Sequence, residues 1–185
     1  MINDVMSSAE DKMKKTVEVL RKDLASVRAG RANPAMLEKV TVDYYNTPTP
    51  INQLATVSVP EPRMLVIQPW DKSAIKDIEK AIMKSDLGLT PSNDGNVIRL
   101  PIPQLTAERR TEIAKTVRKK AEEARVAVRN IRRELIDNIK NLEKQKSISE
   151  DESKKGQEKA QKLTDTYIKE IDNTLEKKEQ EIMEV

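Results

Sequence analysis

All nine prolines of this 185-residue chain fall between Pro34 and Pro103, and outside that window the only glycines are Gly30 and Gly156. Proline fixes φ and removes a backbone donor, so long helices are confined to the flanks and turn-rich structure to the middle. The distribution predicts two kinds of structure in one chain. Their boundaries read as "RAGRANP" (28–34) and "LPIPQLT" (100–106).

The flanks carry helical periodicity. Ile2, Met6, Ala9, Met13, Val17, Leu20, Leu24 and Val27 recur in steps of three and four, one stripe of a first helix. Gly30 is placed to end it as a left-handed C′ residue, with Pro34 shortly beyond. A second helix is expected from an N-cap at Thr106 to about Lys144, roughly 58 Å long. Its seam of Ala114, Val117, Ala121, Ala124, Val128, Ile131, Leu135, Asn138 and Leu142 alternates threes and fours strictly, the 3.5 period of coiled-coil-like packing. A third helix starts at "SEDE", with Ser149 as N-cap and Glu152 completing a capping box. Its seam includes Ala160, Leu163, Tyr167, Ile171, Leu175 and Ile182. Three stripes that would each stay wet alone predict an antiparallel three-helix bundle built from residues 1–30 and 106–185.

Residues 31–105 read as a small α+β domain inserted through two linkers. "KVTVDYY", "ATVSV" and "RMLVIQP" have strand character, "SAIKDIEKAIMKS" is a short amphipathic helix, and "NDGN" is a hairpin turn leading into "VIRLPIP". The linker residues Gly30, Arg31, Pro103, Gln104 and Leu105 are the expected hinge. Trp70 is assigned to the core, and the tyrosines of "DYYNTPTP" either support a strand and its turn or offer a stacking surface.

Composition excludes several function classes. With no Cys, disulfides and thiol nucleophiles are absent, and with no His, imidazole ligands and bases are absent too. No D-x-D-x-D-G loop suggests a cation site. The expectation is a non-enzyme with no catalytic residue, metal or cofactor. "MINDVMSSAEDKMKK" is no signal peptide, and no run approaches the ~18 apolar residues of a membrane span. A cytoplasmic protein with no membrane partner is expected.

Charge is uneven along the chain. Residues 106–146 hold 13 basic and 7 acidic side chains, a net +6, whereas residues 147–185 carry −4. Seven of the twelve arginines lie on the predicted second helix. In "EARVAVRNIRREL" (123–135), Arg125, Arg129, Arg132 and Arg133 span about 100° of the helical wheel and flank the seam. Arg125 has Glu122 within helical reach and Arg133 has Asp137, but Arg110, Arg129 and Arg132 have no acid three or four residues away. One reading is a solvated face, and another is cross-bundle pairing with the acidic third helix. The third is phosphate binding, favoured by the choice of Arg, whose planar fork suits phosphates and bases. Without a DNA-reading motif, shaped RNA is the expected target. Arg28 and Arg31 form a smaller pair that either complements a helix C-terminus or touches RNA.

"SVRAGRANPAMLEKVTVDYYNTPTPINQLA", "SDLGLTPSNDGNVIRLPIPQLTAERR" and "ARVAVRNIRRE" together resemble the bacterial ribosome recycling factor family, in order and over essentially the whole chain. The resemblance implies an L-shaped, two-domain α+β protein that acts after termination. It would bind large-subunit ribosomal RNA and, with elongation factor G and GTP, split the ribosome and release mRNA and deacylated tRNA. It further implies RNA contacts at Arg28, Arg31, Arg110, Arg129, Arg132 and Arg133, with Val117 and the linker around Leu105 structural. A monomer is expected. The competing reading is a helical scaffold that oligomerises through its heptads.

Overall fold

The computed structural model describes residues 1–27 and 30–184. It is α+β, with long helices forming a helical bundle and a small antiparallel sheet domain. Helix α1 (Ile2–Ala25), α3 (Ala107–Lys144) and α4 (Glu150–Met183) are the long elements. The middle of the chain supplies strands β1 (Thr41–Tyr44), β2 (Thr47–Pro50), β3 (Ala55–Glu61), β4 (Met64–Pro69), β5 (Ser92–Asn93) and β6 (Ile98–Pro101), with helix α2 (Ile75–Lys84) between β4 and β5. No helix among the described residues is long and apolar enough to cross a membrane.

The chain divides into two compact units. The first joins Met1–Arg21 to Thr116–Lys177 and is entirely helical apart from the α3–α4 turn. Its core includes Ala9 on α1, Leu135 and Ile139 on α3, Ile148 in the turn and Ala160 on α4. Helices α3 and α4 run antiparallel, because Arg125 meets Asp172 while Arg132 meets Gln161. The caps follow the sequence. Ser149 Oγ accepts from the Glu152 amide at 3.1 Å and donates to the Glu152 carboxylate, opening α4. At the end of α3, Lys146 (φ 57°) takes the left-handed position, its amide bonded to the Glu143 carbonyl and that of Ser147 to the Leu142 carbonyl. These are the two bonds of a Schellman turn, made here without glycine.

The seam of α3 departs from the predicted 3.5 period. Ile113 and Ile139 are buried, whereas Ala114 is only half-buried and Asn138 is exposed. Ile113, Val117 and Ala121 take two consecutive steps of four, as do Ile131, Leu135 and Ile139, so the stripe keeps the 3.6 period of a straight helix. On α4 the seam also takes in Ser153, Gly156, Thr164 and Lys178, while Leu163 and Leu175 are half-buried. A Cβ on Gly156 would come within 2.8 Å of Ile2 Cδ1 and 3.4 Å of Ile139 Cδ1, so glycine permits the close approach of three helices.

The second unit comprises Lys22–Lys115 and the residues from Lys178 onward. A two-stranded ribbon pairs β1 with β2, and a four-stranded antiparallel sheet has the order β3-β4-β6-β5. The ribbon turns through Tyr45 (φ 49°) and Asn46 (φ 63°), the positive-φ pair of a two-residue hairpin. Leu65, Ile67, Ile98 and Leu100 face Ile78 and Ile82 of α2 in a closed aliphatic core. The Asp94 carboxylate accepts from the Asn96 and Val97 amides and from Arg99, fixing the β5–β6 turn. These interactions, led by the Val97 amide, hold its pKa well below the usual carboxylate range. Thr106 Oγ1 accepts from the Arg109 amide at 3.1 Å and caps α3 as expected.

Two expectations are corrected here. Gly30 is not the C′ residue of α1, which already ends at Ala25. Its missing side chain instead admits the Glu184 carbonyl, which would lie 3.3 Å from a Cβ. Trp70 is not in the core. It is 67% exposed, its indole donating to Thr56 Oγ1.

Candidate nucleic-acid interface

The arginines of "EARVAVRNIRREL" separate into distinct environments. Arg125 reaches across to α4, with Nε 2.8 Å and Nη2 2.7 Å from Asp172 Oδ1, and its Nη1 lies 3.0 Å from Glu122. Only 20% of its side chain is exposed. Partial burial pulls the guanidinium pKa down, but the hydrogen bonds to Asp172 and Glu122 outweigh it and leave it above its ordinary value. Two carboxylates cancel the charge of Arg125. It pairs across the bundle with the acidic last helix and does not stand clear of the packed interface.

Arg129 keeps more freedom. Its Nη1 is 3.6 Å from Glu122, which it shares with Arg125, and 43% of its side chain is exposed. Glu122 is seven residues back, two helical turns, beyond the three-or-four spacing used on the sequence. Arg132 has no carboxylate partner among the described residues. Its Nη1 donates to the amide oxygen of Gln161 at 3.0 Å, and its Nε is shielded from solvent without a partner. Arg133 is exposed, and the expected pairing with Asp137 does not form; it makes no hydrogen bond or ion pair among the described residues. One short stretch of α3 therefore presents Arg132 and Arg133 without a carboxylate partner among the described residues, and Arg129 sharing its one carboxylate with Arg125.

Arg31 and Arg110 lie in the second unit. Arg110 is half-buried, with Nη1 3.5 Å from the Met183 carbonyl and Nε shielded without a partner. Arg31 Nε is 3.6 Å from the Glu184 carboxylate, just past the end of α4, with 65% of the side chain exposed. Arg28 lies outside the described residues. Around the expected hinge, the Ala32 amide bonds the Pro62 carbonyl and the Ile102 amide bonds the Arg63 carbonyl, both at 2.7 Å. Ala32 and Ile102 thus bond to adjacent residues of one turn, between β3 and β4. Gly30 and Leu105 are buried, whereas Pro103 and Gln104 are exposed. Val117 is fully buried in the first unit.

Apolar periodicity does not single out Lys178, yet it is buried, donating from Nζ to the Val27 carbonyl at 2.8 Å beside Glu181. The signal was present: the interval from Leu175 to Ile182 skips one seam place, and Lys178 occupies it. Burial lowers its pKa, against the opposing charge of Glu181. Tyr44 Oη donates to Asp71 Oδ2 at 2.8 Å, supporting the ribbon, and its ring meets that of Tyr45 edge to face. Tyr45 itself is 78% exposed.

Comparison with known proteins agrees with this architecture. The family model for the ribosome recycling factor matches residues 20–183. The ribosome-recycling factor of Syntrophomonas wolfei is 69% identical over 185 residues, and that of Heliobacterium modesticaldum 64%, each covering both chains in full. A solution structure of the ribosome recycling factor aligns with a TM-score of 0.81 at 48% identity, covering 100% of this chain and 98% of the other. A second structure, the T. thermophilus ribosome recycling factor with E. coli elongation factor G on the E. coli post-termination complex, aligns at 0.71 and 49% identity over both chains in full. On this full-length similarity of sequence and fold, the chain belongs to the ribosome recycling factor family.

Proposed function

We propose that this protein binds the post-termination ribosome through large-subunit RNA and, with elongation factor G and GTP, promotes its splitting into subunits with release of mRNA and deacylated tRNA. Family membership supports the general role, and a relative at 49% identity has been placed on a post-termination complex beside elongation factor G. The observation that carries the RNA contact is the contrast along α3. Arg125 is neutralised by two acids, while Arg132 is held by a neutral amide and Arg133 is exposed. Cations left uncancelled on a rigid helix suit the phosphates of a shaped RNA.

In this reading Arg129, Arg132 and Arg133 anchor the bundle, with Arg28, Arg31 and Arg110 as further contacts. Gly30, Arg31, Pro103, Gln104 and Leu105 form the hinge through which elongation factor G moves the smaller domain, residues 31–105. The factor itself is a cytoplasmic monomer and no enzyme. The straight-helix period of α3 supports packing within one chain over a coiled-coil oligomer. Light-scattering of purified post-termination ribosomes with elongation factor G and GTP tests the proposal. The wild type splits them, and an Arg132→Ala/Arg133→Ala variant that melts normally splits them at least tenfold more slowly at limiting factor. Splitting at the wild-type rate by that variant contradicts the RNA-anchoring role.

A further inference from the structure

Gln161 stands between a cation and an anion. Its amide oxygen accepts from Arg132 Nη1 at 3.0 Å, and its Nε2 donates to Asp165 Oδ1 at 2.9 Å, one helical turn further along α4. A guanidinium only donates and an ionised carboxylate only accepts, so a group linking the two must do both. A primary amide does so in one orientation, its oxygen towards Arg132 and its nitrogen towards Asp165. Asp165 thereby fixes the amide, and the amide fixes the guanidinium.

The neutrality of Gln161 matters as much as its geometry. Arg125, on the same face of α3, meets Glu122 and Asp172 and surrenders its charge to them. Arg132 is held instead by a single hydrogen bond to a partner that carries no charge. Its Nε is already enclosed and Nη1 gives one of its two N–H groups to Gln161, so the other N–H of Nη1 and both of Nη2 are left for an anion. We propose that Gln161 and Asp165 are positioning residues for RNA recognition, presenting Arg132 to a phosphate with its charge intact. The proposal rests on the reading that Arg132 contacts large-subunit RNA.

Holding a long side chain in its bound geometry removes part of the ordering cost of association. Three full-length variants, Gln161→Ala, Gln161→Glu and Asp165→Asn, are tested for binding to isolated large ribosomal subunits across a salt series. Each is also made in an Arg132→Ala background, and all are melted. Gln161→Ala is expected to bind roughly 3- to 10-fold more weakly with an unchanged melting temperature. Gln161→Glu places a carboxylate on Arg132, so it weakens binding at least as much and lowers the salt slope by about one counterion. Asp165→Asn, which no longer dictates the amide orientation, falls between Gln161→Ala and the wild type. All three effects vanish once Arg132 is alanine.

Wild-type binding by Gln161→Ala, with Arg132→Ala weakened, overturns the positioning role while leaving the RNA contact standing. An equal loss from Gln161→Ala in both backgrounds overturns it as well, because Gln161 then acts without Arg132. A melting temperature that falls along with affinity makes the pair structural and also overturns it. Unchanged binding by Arg132→Ala removes the RNA contact and the positioning role together.

Discussion

Arg125 and Asp172 meet across α3 and α4 with Nη2 2.7 Å from Oδ1, while Arg132, two turns along the same helix, meets a neutral amide on the same partner helix. This contrast divides one basic face into a part that holds the bundle together and a part that remains free to bind. Charge density alone does not distinguish them; the partner on α4 does.

Arg125→Ala is therefore expected to destabilise without disarming. Losing charge-assisted bonds at a partly exposed site costs about 1–2 kcal/mol. Urea unfolding should show that loss, while affinity for large ribosomal subunits changes less than twofold. A large loss of affinity with unchanged stability would move Arg125 into the binding group.

Lys178 gives a pH signature. Burial lowers its folded-state pKa below the 10.5 of an exposed lysine, so the folded state gives up its proton first as pH rises. The unfolded chain then binds more protons, and stability rises from the folded pKa up to about 10.5. Relative to Lys178→Met, wild-type stability should climb over that window and stay level below it. A flat difference up to pH 10.5 would contradict the burial of this charge.

Tyr44 gives the opposite sign. Its hydrogen bond to Asp71 is the main cause of a phenol pKa raised from 10.0 to about 12. The contribution to stability is full below pH 10 and is lost as pH rises through about 12. In an absorbance titration, Tyr44→Phe should remove a tyrosinate step near pH 12, and Asp71→Asn should move that step down. A step unmoved by Asp71→Asn would assign the shift to another neighbour.

Much of this molecule was legible because helices announce themselves locally. The stripe from Ala9 to Leu24 and the caps at Thr106 and Ser149 depend on residues within a turn or two of one another. What escaped depends on other segments. Strand β2, "TPTP", has no strand signal of its own, and it pairs only with β1, where an edge tolerates proline. Residue type alone sends Trp70 to the core, whereas the inward alternation of Leu65, Ile67 and Pro69 puts it on the opposite face. On α3, the unpaired status of Arg132 was visible as missing neighbours in sequence. The cancellation of Arg125 by Asp172 needed the third dimension. So did the anchoring of Gly30 and Lys178 beside distant backbone carbonyls.

The central claim, that the arginines of α3 beyond Arg125 anchor the protein to large-subunit RNA, is met most directly by one binding measurement. Wild type and an Arg129→Ala/Arg132→Ala variant are titrated onto isolated large ribosomal subunits from low to high salt, with melting temperatures checked alongside. The account predicts at least tenfold weaker binding at low salt, a salt slope shallower by one to two counterions per complex, and a melting temperature within a few degrees of wild type. Equal affinity and equal slope for the two proteins would contradict it, leaving these arginines as a solvated face.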